Sequence, residues 1–196
     1  MEDIYESDVN RISASASIHP NVILGKGNTI MEGVIIREGV QIGDNNYIGP
    51  YCIIGDPAEK SGYFDTPGKV VIGSGNRFTK QVTVDAGTES VTIVKNNVIM
   101  LKNTQVGHDA HIEDDTVLSC NVVIGGFTKV GKGCNFGLGS VAHQRLTIPD
   151  GVMIGMNSAV TKRTPLEAGR KYVGSPARDI GPNIKPQASC VESPLL

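Results

Sequence analysis

The residues able to do proton chemistry cluster in one short stretch. Gly107-His108-Asp109 sets an imidazole beside a carboxylate, with a glycine before it. A neutral imidazole near pH 7 can take a proton, and a nearby carboxylate can stabilise the imidazolium that forms. Thirty-five residues on lies a second polar pair, His143-Gln144. The same His108 could instead be a surface histidine on a corner of the chain. His111, three residues further, opens the separate option of a metal ligand, for which no complete ligand set is legible.

The elements that position these residues follow from a period of six. From Val94 to Val160 an apolar residue recurs at every sixth position: Val94, Met100, Val106, Ile112, Leu118, Ile124, and on through Phe136 to Val160. Four residues after nearly all of these stands a small or β-branched residue, such as Val98, Thr104 or Ala110, with Leu146 the large exception. A helix repeats at 3.6 residues and an alternating strand at two, so neither fits. A hexapeptide repeat fits: each hexad is one short strand and a corner of a parallel β-helix. The same step runs from Ile12 through Ile18, Leu24 and Ile30 to Ile54.

Composition agrees. The 196 residues carry 39% hydrophobic groups, no Trp and four Phe. That is thin for a rounded core but enough for a narrow column of Ile, Val and Leu. The 24 glycines suit corners that need positive φ. A net charge of -2 leaves no basic footprint, which excludes nucleic-acid binding as an expectation. No 18-residue apolar segment and no basic-then-apolar leader occurs, so the expectation is a cytoplasmic protein with no transmembrane segment. The four cysteines form no CxxC, and Cys52 and Cys134 fall on inward positions, so neither a disulfide framework nor a zinc site is expected.

In chain order, residues 1–11 read as an N-terminal segment and 12–165 as the β-helix. Residues 166–196 read as a short C-terminal extension with a disordered tail. The step fails at Lys60 and Thr66, so 56–69 reads as a loop thrown out of the coil. From Val84 to Val94 the step is ten, which places a four-residue bulge near Ala86-Gly87-Thr88. Leu166 to Tyr172 reads as a turn or short helix, and Gly174 to Ile180 as a return strand.

Beyond the hexads, the chain resembles the hexapeptide-repeat acyltransferases, most closely the UDP-N-acetylglucosamine O-acyltransferases that begin lipid A synthesis. The likeness spans about residues 18 to 184. It includes Ile18-His19-Pro20, Gly49-Pro50-Tyr51, Tyr63 and Pro67, Gly75-Asn76-Arg77, Val82-Thr83-Val84, His108-Asp109, Gly126, His143-Gln144 and Asn183.

The resemblance implies a left-handed β-helix with three hexads per coil, assembled as a homotrimer with active sites between subunits. Residues 18 apart would then stack, giving one ladder of His108, Gly126 and Gln144 and another of Asp109, Phe127 and Arg145. It further implies His108 as general base, Asp109 as its orienting carboxylate and the Gly126 N–H as oxyanion donor. His143 and Gln144 would touch the nucleotide-sugar or acyl chain, and Met156 would set acyl-chain length. Asn183 matches within the C-terminal part of the likeness and is a substrate-binding candidate. The chain departs from the family at Lys60 and Gly62, where the family has a sugar-binding Asp and Lys, at Asp85 and at Phe127, where it has histidines. Lys60 and Asp85 remain substrate-binding candidates. The family's C-terminal helical domain has no counterpart in these residues.

The expected reaction moves an acyl group from acyl carrier protein or acyl-CoA to a hydroxyl or amine of a sugar or nucleotide-sugar, with no covalently bound cofactor and no metal. Arg145, Lys162 and Arg163 could hold phosphates, or form a solvated basic edge. Cys120 has no histidine in its column and is not expected to act as a nucleophile. Two other classes stay open: an acetyl-CoA-dependent sugar acetyltransferase, suggested by Gly174-Ser175-Pro176-Ala177-Arg178, and a non-catalytic β-helix scaffold subunit.

Overall fold

A computed structural model of the chain describes residues 9–62 and 68–184. Strands begin at Arg11–Ile12 and recur at nearly every hexad, most of them two residues long, as in His111–Ile112 and Val117–Leu118. They stack in three parallel faces. The first face ends in two extra strands and has ten; the second has eight and the third seven. The described residues contain no helix. The result is an all-β, left-handed parallel β-helix.

The period of six is a packing rule. In each two-residue strand the second side chain turns inward, and from Ile30 to Val160 these positions are buried. The small residue four places later fills the corner: Val98, Ala110, Val122 and Cys134 are all at most 1% exposed. Thr104, Thr116, Thr128 and Ser140 occupy the same positions in other hexads. The hydroxyls of Thr104, Thr128 and Ser140 donate to backbone carbonyls at Leu101, His143 and Gly137, so no buried donor is stranded there. The inward residues of the first described coil are less covered, Ile12 at 45% exposure and Ile18 and Leu24 half-buried, because that coil has a neighbour on one side only.

Register follows the coil length. Val117 pairs with Asn135 and Asn135 with Met153, eighteen apart. Tyr47 pairs with Arg77, thirty apart, and Arg77 with Ile99, twenty-two apart. These two excesses are the loop and the bulge read from the broken step. The loop is shorter than expected: Asp56 ends the strand Ile53–Asp56 and Lys69 begins Lys69–Ile72, and both are paired, with Asp85 and Val91. Thr66, Tyr63 and Pro67 lie outside the described residues, as do Cys190 and the tail after Ile184.

One corner in the early coils is tied by asparagine. Asn28, Asn46 and Asn76 are buried, each side chain bonding the next: Asn46 Nδ2 and Asn76 Nδ2 donate to the Oδ1 of Asn28 and Asn46. At the far end there is no helix between Leu166 and Tyr172. The chain turns and forms strand Arg170–Val173, which pairs antiparallel with the returning Arg178–Pro182. Arg170 Nε donates to Asp179 Oδ2 across that hairpin at 2.8 Å.

Candidate active site

The corner between the second and third faces carries residues 107–110, 125–128, 143–146 and 161–164 on successive coils. His108 therefore lies directly under Gly126, Gly126 under Gln144, and Gln144 under Lys162. The backbone confirms the stack, since Phe127 N–H donates to His108 O at 2.9 Å and Arg145 N–H to Gly126 O at 2.8 Å. Asp109, Phe127 and Arg145 form the adjacent ladder. All three hold φ near +60°, a region that a bulky residue such as Phe seldom adopts.

His108 Nδ1 lies 2.8 Å from Asp109 Oδ2. The histidine side chain is 12% exposed and the aspartate side chain 0%. The carboxylate also accepts from Thr88 N–H and Oγ1, from Glu89 N–H, and from Ser90 N–H and Oγ, all between 2.6 and 3.0 Å. Burial alone would raise its pKa; the hydrogen bonds from His108, Thr88 and Ser90 outweigh this and hold the carboxyl well below the usual range. An ionised carboxylate only accepts, so the proton between the two groups belongs to Nδ1. Neutral His108 then presents a bare Nε2.

That Nε2 is aimed at Gly126. A Cβ built on Gly126 would meet Nε2 at 2.8 Å and Cε1 at 2.9 Å. The space left by the missing side chain is thus taken by the imidazole itself. Gly107 leaves the second gap: a Cβ there would stand 2.8 Å from the Gly126 nitrogen. Among the described residues no acceptor bonds the Gly126 N–H. Phe127 packs edge-on to His108, ring centroids 5.1 Å apart at 87°. The Arg145 guanidinium covers the Phe127 ring at 3.9 Å, and Lys60 Nζ stands 5.6 Å from its centroid.

The other expected site residues fall into three groups. Lys60 joins the cluster, donating to Thr88 Oγ1 and pairing with Glu89 at 3.1 Å. Asp85 sits one coil below Gly107, 6% exposed. Burial, then the charge of Glu59, push its carboxyl up to about 7 against a hydrogen bond from Gln105. His143 and Gln144 are exposed on the same corner as His108. Met156 is exposed at a different corner, between the first and second faces. Asn183 is at the third, where its N–H donates to Gly169 O and its Nδ2 to Gly151 O. A single protomer therefore does not bring Met156 and Asn183 to His108.

His111 is on the third face beside the corner. It lines a cavity of about 370 Å³ with Glu113, Lys129, Thr147 and Asp150. Its Nε2 lies 3.1 Å from Glu113 Oε1 but at an angle that makes no hydrogen bond. Among the described residues no group of three potential ligands is assembled for a metal. Sequence reasoning gave no role to Thr88, Glu89 and Ser90, and named Gly107 only as the residue before His108. The step of ten between Val84 and Val94 was the available signal for the first three.

Comparison with known proteins gives a consistent family signal. The model for bacterial transferase hexapeptide repeats matches residues 21–56. An acyl-(acyl-carrier-protein)–UDP-N-acetylglucosamine O-acyltransferase of Campylobacter concisus is 26% identical over 180 residues, covering 88% of this chain and 68% of its own length. A UDP-3-O-acylglucosamine N-acyltransferase of Bordetella pertussis is 31% identical over 158 residues, 80% of this chain and 42% of that one. The chain spans about half or less of several other curated relatives, such as 52% of a Burkholderia orbicola O-acyltransferase. The solved UDP-N-acetylglucosamine O-acyltransferase of Moraxella catarrhalis superposes with a TM-score of 0.65 at 27% identity, over 89% of this chain and 73% of that one.

Proposed function

We propose, on the premise that this chain belongs to the hexapeptide-repeat family of bacterial transferases, that it transfers an acyl group from a thioester to a hydroxyl or amine of a sugar or nucleotide-sugar. The observation that carries the reading is the His108–Asp109 pair, with Nε2 directed at the glycine of the next coil.

In this reading His108 Nε2 removes the acceptor's proton as its oxygen or nitrogen attacks the thioester carbonyl. The new C–O or C–N bond forms, and the negative charge moves to the carbonyl oxygen. The unbonded Gly126 N–H is the donor placed to receive that oxyanion. Collapse of the tetrahedral intermediate breaks the C–S bond, and the imidazolium returns its proton to the departing thiolate. Asp109 remains ionised throughout and holds the imidazolium through Nδ1–H. One oxyanion donor of this kind is worth about 2.7–4 kcal/mol.

The acyl donor is acyl carrier protein or CoA loaded with the acyl group, both free co-substrates. Arg145, Lys162 and Arg163, on the coils above His108, are suited to phosphates of the nucleotide or the donor. The working assembly is a homotrimer in the cytoplasm. Trimerisation would bring a Met156 or Asn183 corner against the His108 corner of another subunit. The outward valines 123 and 141, stacked on the second face and 38% and 39% exposed, offer an apolar contact surface.

A thioester-release assay tests the reading. Acetyl-CoA, longer acyl-CoAs and acyl-loaded carrier protein are each offered with a panel of nucleotide sugars and free amino sugars. Acceptor-dependent thiol release with at least one pair supports it. No release with any pair favours the scaffold class, and release from acetyl-CoA alone favours the sugar acetyltransferase.

A further inference from the structure

The turn at residues 86–90 interrupts the repeat by four residues, one coil below the His108 corner. An insertion into a repeat commonly runs over the surface as a loop. This one folds over the corner above it, and five of its donors converge on one carboxylate. Thr88 N–H and Oγ1 bond Asp109 Oδ2 at 3.0 and 2.8 Å. Glu89 N–H, Ser90 N–H and Ser90 Oγ bond Oδ1 at 3.0, 2.6 and 3.0 Å. With His108 Nδ1 the two oxygens have six partners. The backbone of Asp109 is fixed as well, its N–H donating to Thr92 Oγ1 at 2.8 Å.

We infer that the 86–90 turn is a positioning element for the base: Thr88 and Ser90 act through Asp109 to hold His108 in its Nδ1–H tautomer with Nε2 bare and facing Gly126. The assignment rests on the acyl-transfer reading for its functional consequence, but not for its geometry. The physical argument concerns which atom accepts. A carboxylate with few partners can rotate, take a proton, or leave Nδ1 without an acceptor. Here both oxygens are tied from below, so the lone pair facing Nδ1 has a fixed direction. A neutral imidazole then gains by placing its one N–H on that side. His108 itself and the donors of Thr88 and Ser90, backbone and side chain, together keep the carboxylate charged. The two hydroxyls add direction, one on each oxygen, and they are the part of the cradle that side-chain substitution can remove.

The turn is itself held in place. Ala86 N–H donates to Asp56 O and Gly87 N–H to Lys69 O, the two ends of the long loop. Lys60, from that loop, donates to Thr88 Oγ1 at 3.3 Å and pairs with Glu89. The two breaks in the repeat therefore meet at one place: Asp56, Lys60 and Lys69 brace the turn, and the turn braces Asp109.

The test uses the full chain, labelled with 15N at histidine. His108 ring nitrogens are assigned by comparison with His108→Gln, and their shifts are followed with pH in the free protein, with no substrate present. The wild type is expected to hold the Nδ1–H form throughout its neutral range. In Thr88→Val/Ser90→Ala the Nε2–H form should appear, and kcat/KM for thioester-dependent transfer should fall about tenfold or more, as expected for lost hydrogen bonds to a charged group. Thr88→Ser and Ser90→Thr keep the hydroxyls and should restore both readouts. If the double variant does not fold, Ser90→Ala alone carries the same measurement. A His108 tautomer unchanged by removal of the hydroxyls overturns the inference, even if thermal stability drops, since a purely structural tie would behave that way. Should His108 prove dispensable for turnover while its tautomer still follows Thr88 and Ser90, the acyl-transfer assignment fails and the positioning relationship stands.

Discussion

The Nε2 of His108 stands 2.8 Å from the point where a Cβ would sit on Gly126, one coil above. The glycine is therefore required by the imidazole. Its φ is not in the left-handed region, so the demand is for space, not for backbone freedom. Gly126→Ala must push the ring away from its place. The fold should survive at a cost of about 1–3 kcal/mol, typical of one added methyl in a packed site. Transfer activity should fall at least a hundredfold, because the base no longer faces the reacting atoms. Thermal melting and turnover on the same preparation separate the two effects; near-normal turnover would mean that the ring position does not matter.

Asp85 gives a pH dependence of definite sign. Its folded carboxyl titrates at about 7, above the ordinary value near 3.9, with burial as the main cause. Below the unfolded value both states are protonated and the residue has no effect. As pH rises between the two values the unfolded chain ionises first, so stability falls, and above the folded value the loss is complete. Asp85→Asn keeps the volume and removes the charge. It should flatten this fall between about pH 4 and 7 and raise stability at pH 8 by of order 3 kcal/mol. Denaturant titrations across that range check it; parallel curves for the two proteins would contradict it.

Asn46 bridges two coils in the buried asparagine column. Its Oδ1 accepts from Asn76 N–H and Nδ2, while its Nδ2 donates to Asn28 Oδ1 and Gly73 O. Asn46→Leu fills similar volume but strands those donors and acceptors. Each buried group left unpaired costs about 1–3 kcal/mol, so the early coils should lose several kcal/mol. Hydrogen exchange should locate the loss between residues 28 and 98, with the coils around Phe136 protected as before. Uniform loss along the stack would show that the coils unfold as one unit.

Much of this architecture was legible in the residue pattern, and the limits have physical causes. The step of six identified strands and inward side chains because every coil solves the same packing problem. Ile112, Leu118 and Phe136 have no alternative but the column. The same arithmetic placed Gly126 over His108 once three hexads per coil were taken from the resemblance. It could not show that the imidazole fills the glycine's gap, because that depends on side-chain rotation. Nor could it show the purpose of the insertion after Val84. Thr88, Glu89 and Ser90 are ordinary turn residues until their donors are seen to meet Asp109. The loop bounds were set two residues too wide because Asp56 and Lys69 are polar, yet both are strand residues held by pairing. The expected corner residues were glycines; the structure also places Asp109, Phe127 and Arg145 there at positive φ, which no apolar period reports.

The most direct measurement is turnover of His108→Ala with a thioester donor and acceptor pair that the wild type accepts. The corner geometry and Asp109 pairing predict a loss of about a hundred- to ten-thousandfold, the usual share of a general base, in a chain that still folds. Turnover within a few-fold of wild type would contradict the assignment of His108 as the base.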